Sequence, residues 1–499
     1  MLKIINSKQS KNLDNITINK KVSSKETLID NAGKAMAYHI IESIEDPFNS
    51  TFLCICGKGN NGMDAIVTNK YLIENNIESS LLIVDPTGFD MDVLRDIHYF
   101  TMTDKLNFSN YIYIIDGLFG TGLNRDVDGI FSLVIKQMQK HDRVLSIDIP
   151  SGIYADSGNS SQNYVSAIET ITFTYPKIGH YISDGYEATG DLSIYPIGHY
   201  QDKIDCTAYL IEDEDIGSLL HPIDLMSDKY SNGKILSLTG SRSYTGAALL
   251  SGASALKSGG GILRQVYPLS LNDSYSQFKE AIDYSIDDHG LGFLTIDHLS
   301  EISSLYDWPD CLMIGPGLSP VKESIELISM VLSSYSKNCV IDATALSAIE
   351  FEKNKFDQIP DKSIMTPHYN EFARMLNISK EDLDKDVMRI IKDLSVYLEG
   401  RVLVLKGFNT IVADGYGNIY ILDKGTTLLS TAGTGDVLTG IISSYVARGY
   451  TLVDSALLGV SIHSRASRIL KDNKIESITA SELLPLISVA QNYYREIND

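Results

Sequence analysis

Residues 51–65 read TFLCICGKGNNGMDA. An apolar run at 51–56 enters a turn carrying Gly57, Gly59 and Gly62, and a segment of helix length follows over 63–75. That glycine spacing fits a dinucleotide-binding turn in its required strand–turn–helix setting. Glycines let the backbone approach a pyrophosphate, and the helix N-terminus adds partial positive charge. A tight strand–helix turn asks for glycine too, so the spacing alone is a weak signal. Asn60, Asn61 and Asp64 add side-chain oxygens that suit a hard cation or a polar ring amide.

Outward from this turn the same alternation repeats. Strands are predicted at 51–56, 79–84, 111–115, 143–149, 168–174 and 192–195, and helices at 24–44, 63–75, 90–100 and 128–141. Strands alternating with helices predict a parallel sheet with crossover helices. The acidic, turn-rich segment 203–230 breaks the pattern, and the domain junction is placed near 210–225. A second series follows, with strands at 234–239, 311–314, 338–341, 363–365, 401–405, 410–413 and 418–422. Its helices are predicted at 245–258, 320–334, 370–376, 382–399 and 435–448. The expectation is α/β throughout, in two domains, 1–215 and 216–499.

The chain has 499 residues, 42 Lys+Arg and 64 Asp+Glu, a net charge of −22. Nucleic acid and anionic membrane are excluded as partners, since both need a basic surface. A local cradle of backbone N–H groups can still hold a phosphate on such a protein. No run of about 18 apolar residues offers a spanning helix. The start, MLKIINSKQSK, lacks the apolar core of a signal peptide. Five cysteines without a CxxC pair or zinc spacing fit a reducing compartment, so a cytoplasmic protein is expected. Cys54 and Cys56 are expected on opposite faces of their strand and unpaired.

Two more strand ends in the first half carry polar turns. DGLFGTGLNRD (116–126) puts Asp116 at a strand end and an N–H-rich turn at Gly120, Thr121 and Gly122. SIDIPSG (146–152) puts Asp148 beside the same crevice. A lone strand-end Asp is usually a cap or turn residue; three consecutive strand ends with Asp, Asn and Gly make that reading weaker. The series LIDNAG (28–33), GKGNNGMDA (57–65), DGLFGTGL (116–123), DIPSG (148–152) and TFTYPKIG (172–179) resembles the NAD(P)H-hydrate epimerase domain, a Rossmann-like three-layer fold. The resemblance implies that Asn60, Asn61, Gly62, Met63 and Asp64 contact the hydrated nucleotide. It implies the same of Gly120, Thr121, Gly122, Leu123, Asn124, Arg125 and Asp126. It further implies a K⁺ ion held by Asn61, Asp116 and Ser151, and Asp148 as the acid/base group. The family usually has glycine where Met63 stands, which would crowd the loop.

In the second half the sharpest signal is STAGTGDVLTG (430–440). Ala432 to Gly435 make an N–H-rich turn, and a helix is expected from Asp436. Aligned N–H groups there form an anion hole, and a carboxylate beside it can take the proton of a hydroxyl that attacks a phosphoryl group. A capped helix start explains the Asp, but not the glycines and threonines before it. GPGLSP (315–320), TPHYNEF (366–372) and LKGFNT (405–410) each sit at a strand end. TGSRSYTGAALLSGASALKSGGG (239–261) has the small-residue texture of a tightly packed helix.

With GVSIHS, these pieces over 228–490 resemble the ADP/ATP-dependent NAD(P)H-hydrate dehydratase domain, which is ribokinase-like. The resemblance implies that Gly317, His368 and Asp436 contact the hydrated nucleotide, with Asp436 catalytic. It implies that Lys406, Gly407, Phe408, Asn409 and Thr410 bind the adenine nucleotide. So would Thr426, Thr427, Leu428, Leu429, Ser430, Thr431, Ala432, Gly433, Thr434 and Gly435. The family usually has glycine at Asn370 and Asp at Thr344. Expected co-reactants are ADP or ATP, ADP being favoured, with Mg²⁺; a homo-oligomer is the expected assembly. The joint expectation is epimerisation of the two NAD(P)H-hydrates by the first domain and nucleotide-driven dehydration by the second. The alternatives are a ribokinase-like kinase of a small alcohol and a non-catalytic first domain.

Overall fold

The structure, a computed structural model, describes residues 1–89, 94–95, 97–104, 106–202, 204–222, 224–276, 278–351 and 356–497. The chain divides into two compact units, Leu2–Ala208 and a second from Tyr209 onward.

The first unit opens with a short strand, β1 (Leu2–Ile4), and a helix, Ser7–Asn19. Its sheet is built from β2 (Thr51–Cys56), β3 (Glu78–Ile83), β4 (Phe100–Thr101), β5 (Tyr113–Gly117), β6 (Val144–Ile147), β7 (Glu169–Phe173) and β8 (Asp191–Tyr195). The order is β4-β3-β2-β5-β6-β7-β8, with parallel pairing throughout. The run TFLCIC is continuously apolar because both faces of its strand are covered. Phe52, Cys54 and Cys56 join Met36, Ile40 and Leu72 on one side. Leu53 and Ile55 join Val134, Ile135 and Met138 on the other. Cys54 and Cys56 are free. They share a face, which corrects the opposite-face expectation, since side chains two apart in a strand point the same way.

The chain runs from β2 outward to β4, then returns to place β5 on the other side of β2. The strand order therefore reverses between β2 and β5, and ligands of open α/β sheets bind at the carboxyl ends beside such a reversal. The loops starting at Gly57 and Leu118 lie at that point.

The second unit continues with β9 (Ala208–Leu210), β10 (Lys234–Leu238), β11 (Ile262–Pro268), β12 (Ile282–Ile286), β13 (Cys311–Ile314), β14 (Cys339–Ile341), β15 (Ser363–Met365), β16 (Val402–Leu405), β17 (Thr410–Asp414) and β18 (Ile419–Leu422). The order is β9-β18-β17-β16-β15-β14-β13-β10-β11-β12. Pairing is parallel from β12 to β16 and antiparallel across β16, β17 and β18. Helix Thr434–Ala447 is apolar on nearly every side and buried in the core with Leu452–Asp472. It presses on helix Thr245–Lys257, where a Cβ on Gly440 would lie 2.0 Å from Ser254 Oγ. The small-residue texture of 239–261 is thus explained by packing.

Some elements differ from expectation. Of the helix predicted at 90–100, residues 90–93 and 96 lie outside the described residues, and Phe100–Thr101 is β4. The helix predicted at 382–399 is two, Lys380–Lys385 and Val387–Ser395. Asp386 (φ −163°) leaves the helical region between them, and its carboxylate caps the second through Arg389 N. Within 203–230 a helix forms at Asp213–Leu219, its first turn entirely acidic, which suits the positive end of the helix dipole.

Candidate active sites

In the first unit, three loops converge at the carboxyl ends of β2, β5 and β6. Helix Asn60–Glu74 starts at the fingerprint loop. Its glycines serve two ends. A Cβ on Gly57 would lie 1.8 Å from Leu118 O, and one on Gly62 would lie 1.9 Å from Gly57 O; on Gly59 it would meet nothing within 4 Å among the described residues. So Gly57 and Gly62 are demanded by backbone packing, and Gly59 leaves open space for a ligand. Gly120 ties the loops together: its Cβ would lie 3.2 Å from Asp148 Oδ2 and 3.3 Å from Asn61 Cβ. The remainder of the predicted stretch is more open, with Gly122, Asn124, Arg125 and Asp126 exposed; Asp126 accepts from Tyr154 Oη at 3.0 Å. Met63 packs half-buried against the core cluster that holds Ala65 and Ile66.

Asn61, Asp116 and Ser151 are brought together. Ser151 Oγ donates to Asp116 Oδ1 at 2.6 Å and Ser151 N to Oδ2 at 2.8 Å. Ser146 Oγ also donates to Oδ2, at 3.1 Å. Asn61 Nδ2 donates to Phe119 O at 2.9 Å, and Phe119 N to Ser151 Oγ at 2.8 Å. Asn61 Oδ1 is buried with no hydrogen-bond partner among the described residues. Burial pushes the Asp116 carboxyl up, against four hydrogen bonds that pull it down.

Asp148 is not a cap. Its backbone sits at φ +68°, a region costly for a residue with a Cβ. Its carboxylate is paired with Lys177 Nζ, which also donates to Thr172 Oγ1 at 2.7 Å. Thr172 Oγ1 lies 3.2 Å from Asp148 Oδ1, and His180 Nε2 lies 2.9 Å from Asp148 O. Burial would raise the Asp148 carboxyl, but the Lys177 charge and its hydrogen bond, aided by His180 and Thr172, bring it below the usual range. Burial and the Lys177 charge push His180 down to about 3, so that ring is neutral. Asp64 goes the other way: burial, then the charges of Asp148 and Asp14, lift it well above its ordinary value.

In the second unit the strand ends of β13 to β16 face helix Thr434–Ala447. Gly433 (φ +92°) is its N-cap and makes no side-chain cap bond; the helix begins at Thr434, one residue before the predicted 435–448 range and two before Asp436. Asp436 therefore lies in the first turn and is not spent on capping. Lys406, just beyond β16, donates to Asp342 Oδ1 at 2.6 Å. Thr439 Oγ1 donates to Asp342 Oδ2 at 2.6 Å. Burial and the Asp342 charge push the Asp436 carboxyl up to about 7, against the pull of Lys406. Burial would lower the Lys406 ammonium, but Asp342 and Glu371 hold it above its ordinary value.

A cavity of about 350 Å³ opens here. Of the predicted residues it is lined by His368, Lys406, Gly407, Phe408, Thr410, Thr426, Leu429, Ser430, Thr434 and Gly435. Leu428 is instead packed in the core. His368 has a structural task as well: it caps helix Tyr369–Met375, its Nδ1 accepting from Glu371 N at 3.2 Å. Gly317 (φ +68°) lies against Tyr244, with 2.4 Å between its would-be Cβ and Tyr244 O. Asn370 is exposed on the first turn of the His368-capped helix. Thr344 Oγ1 donates to Leu318 O at 2.9 Å, tying the loops after β13 and β14 together.

Sequence reading assigned no role to Lys177, His180, Asp342 or His463. Lys177 lay inside the quoted TFTYPKIG, and Asp342 stands two residues before Thr344. Their partners are far along the chain, at Asp148 and at Lys406 and Thr439.

Comparison with known proteins separates the same two regions. Residues 235–488, half of the chain, match the family model described as NAD(P)H-hydrate dehydratase. Residues 25–179 match the YjeF-related protein N-terminus. A curated relative from Dictyoglomus turgidum, named bifunctional NAD(P)H-hydrate repair enzyme Nnr, is 29% identical over 93% of this chain and 93% of its own length. The protein of that name from Escherichia coli is 28% identical over 84% of this chain and 80% of its own. Among solved structures, the ADP/ATP-dependent NAD(P)H-hydrate dehydratase of Bacillus subtilis, co-crystallised with ATP and Mg²⁺, matches at TM-score 0.50 and 25% identity. That match covers 57% of this chain and 99% of the other. A ribokinase-like superfamily protein from Enterococcus faecalis shares the fold at TM-score 0.50 and 19% identity, over 60% of this chain and 99% of its own. The chain belongs to the NAD(P)H-hydrate dehydratase family, with a YjeF-related domain ahead of it.

Proposed function

We propose that the chain repairs hydrated NADH and NADPH: its first unit interconverts the two epimers, and its second dehydrates the S epimer at the expense of ADP or ATP. The observation that carries this reading is Asp436, a first-turn carboxylate beside the Gly433 turn, pushed up to about 7. That is the range of a base working near neutral pH.

In the second unit, Asp436 takes the proton of the ring hydroxyl as its oxygen attacks the terminal phosphoryl group. The N–H groups at Gly433 to Gly435 and the Lys406 ammonium stabilise the charge on that group. Hydroxide, a poor leaving group, has become phosphate. The ring nitrogen's lone pair expels it, and loss of a proton from the neighbouring carbon restores the reduced ring. With ADP the other products are AMP and phosphate. Among the described residues no three Asp, Glu, His or Cys gather as a metal cage. Mg²⁺ would then arrive on the nucleotide's phosphates, as is usual for that ion.

In the first unit, protonation of the hydroxyl lets the same lone pair expel water. The planar cation that remains takes water back on either face. Lys177 and Asp148 place a proton donor and an acceptor side by side for these steps. Asn61, Asp116 and Ser151 fit K⁺, because Asn61 Oδ1 is a buried acceptor without a donor among the described residues, on a loop tied through Phe119 and Ser151 to the buried Asp116 carboxylate. When bound, the ion would neutralise Asp116 and draw the nucleotide's phosphates to the loop. Asn61→Leu should abolish the rise in melting temperature that K⁺ gives the parent protein, read by thermal unfolding in Na⁺ and K⁺. A K⁺ response surviving in the variant would reject this site.

Hydrated NADPH of both epimers, incubated with ADP or ATP, should regain the absorbance of the reduced ring. A stable phosphorylated product without ring recovery would favour a kinase of small alcohols instead. The pH profile gives a finer test. Dehydration kcat/KM should rise as pH passes through about 7, as Asp436 loses its proton. Asp342→Asn removes a like charge and frees Lys406, so the midpoint should move to lower pH. An unmoved midpoint would mean that the limb belongs to another group.

A further inference from the structure

His463 belongs to helix Leu452–Asp472 and is 7% exposed. Its ring lines the cavity of the second unit, as does Val460 one turn earlier on the same helix face. Its Nε2 is buried and has no hydrogen-bond partner among the described residues. The Thr434 backbone sits against the ring and favours an N–H on it. Burial, and then the Lys406 charge, push the imidazole down to about 4, so at neutral pH it carries one proton. With that N–H turned to the Thr434 backbone, Nε2 is left as the ring's acceptor at the wall of the cavity. An unpaired buried acceptor costs on the order of a hydrogen bond or more, and a ligand that donates to it recovers that cost.

The position along the cavity says which donor. Thr434 and Gly435, the first residues of helix Thr434–Ala447, line it with Lys406 and suit an anion. Leu422, Leu438 and Val460 give it apolar lining suited to a base. His463 adjoins one member of each group, the Thr434 backbone and Val460 one turn away on its own helix. Phosphate oxygens carry no proton to donate at neutral pH. The part of a nucleotide between phosphate and base is the ribose, whose hydroxyls are donors.

Resting on the nucleotide reading of this cavity, we propose that His463 Nε2 accepts a hydrogen bond from a ribose hydroxyl of the adenine nucleotide. The residue thereby selects ribonucleotides over their deoxy analogues. The test is calorimetric titration of the full chain, with Mg²⁺, against ADP, 2′-deoxy-ADP, 3′-deoxy-ADP and the diphosphate lacking the 6-amino group. One deoxy analogue should bind the parent about tenfold more weakly than ADP. In His463→Leu, ADP and that analogue should bind alike; His463→Gln, which restores an acceptor, should recover part of the difference. Equal binding of ADP and both deoxy analogues to the parent would overturn the proposal, and this comparison does not depend on any variant folding. Discrimination that survives His463→Leu would overturn it too, as would a His463-dependent loss confined to the analogue lacking the amino group. A parent chain that binds no adenine nucleotide would remove the underlying reading of the cavity as well.

Discussion

Asp436→Asn is expected to lower the turnover of nucleotide-driven dehydration by about 10²–10⁴-fold, with little change in KM for either substrate. Asparagine keeps the shape of the first turn but cannot accept the hydroxyl proton. The N–H turn at Gly433 to Gly435 and Lys406 remain, so binding should persist. The substitution also has a signature in stability that separates a lost base from a damaged fold. The folded-state value of about 7 stands above the ordinary 3.8. Between those values the folded chain holds a proton that the unfolded chain releases, so this group makes the fold less stable as pH rises through the window. Asparagine removes that penalty. Thermal unfolding at pH 8 should therefore place Asp436→Asn several degrees above the parent, with the gap closing towards pH 4. A variant that melts higher and turns over within threefold of the parent would leave Asp436 without a role as base.

The sheets were legible where the code is local. A fully apolar run such as 51–56 reads as a strand covered on both faces, and the loops after β2 and β5 announced themselves by glycine. Helix Ser7–Asn19 was missed because its run is polar; its signal is a capping box, with Asn6 and Gln9 satisfying each other's backbone N–H. β12 (Ile282–Ile286) was missed because it is an edge strand in which four of five residues are exposed or half-buried, so it lacks an apolar run. Motif order located the loops of both candidate sites, yet not the pairs that set their electrostatics. Asp342 meets Lys406 across 64 residues and Thr439 across 97. No local pattern records such a pair; it exists only once β14, β15 and β16 are paired in that order and the helix after Gly433 packs on the sheet. Met63 teaches the same lesson in reverse. By position in the loop it should crowd a ligand, but the helical turn that starts at Asn60 points its side chain at the core.

Lys177→Met is expected to cut epimerisation by about 10²–10⁴-fold while leaving dehydration of the S epimer intact. The reason lies in the burial of the pair. Lys177 is 2% exposed, and its ammonium holds the Asp148 carboxyl below the usual range against the pull of burial. Methionine fills the same stem but removes both the donor and the charge. Asp148 then faces burial alone, so its carboxyl should rise and the proton acceptor should be lost along with the donor. Removing one partner of a buried pair costs about 3–5 kcal/mol, whereas replacing both is far milder. Lys177→Met combined with Asp148→Asn should therefore recover most of the melting temperature lost in the single variant. It should recover none of the epimerisation. The assay is the rate at which R hydrate is consumed in the presence of the dehydratase reaction, over the uncatalysed rate. A double variant that regains stability and epimerase rate together would make the pair a structural strut, and the proton donor and acceptor would have to be sought among the neighbouring Asp64 and Thr172.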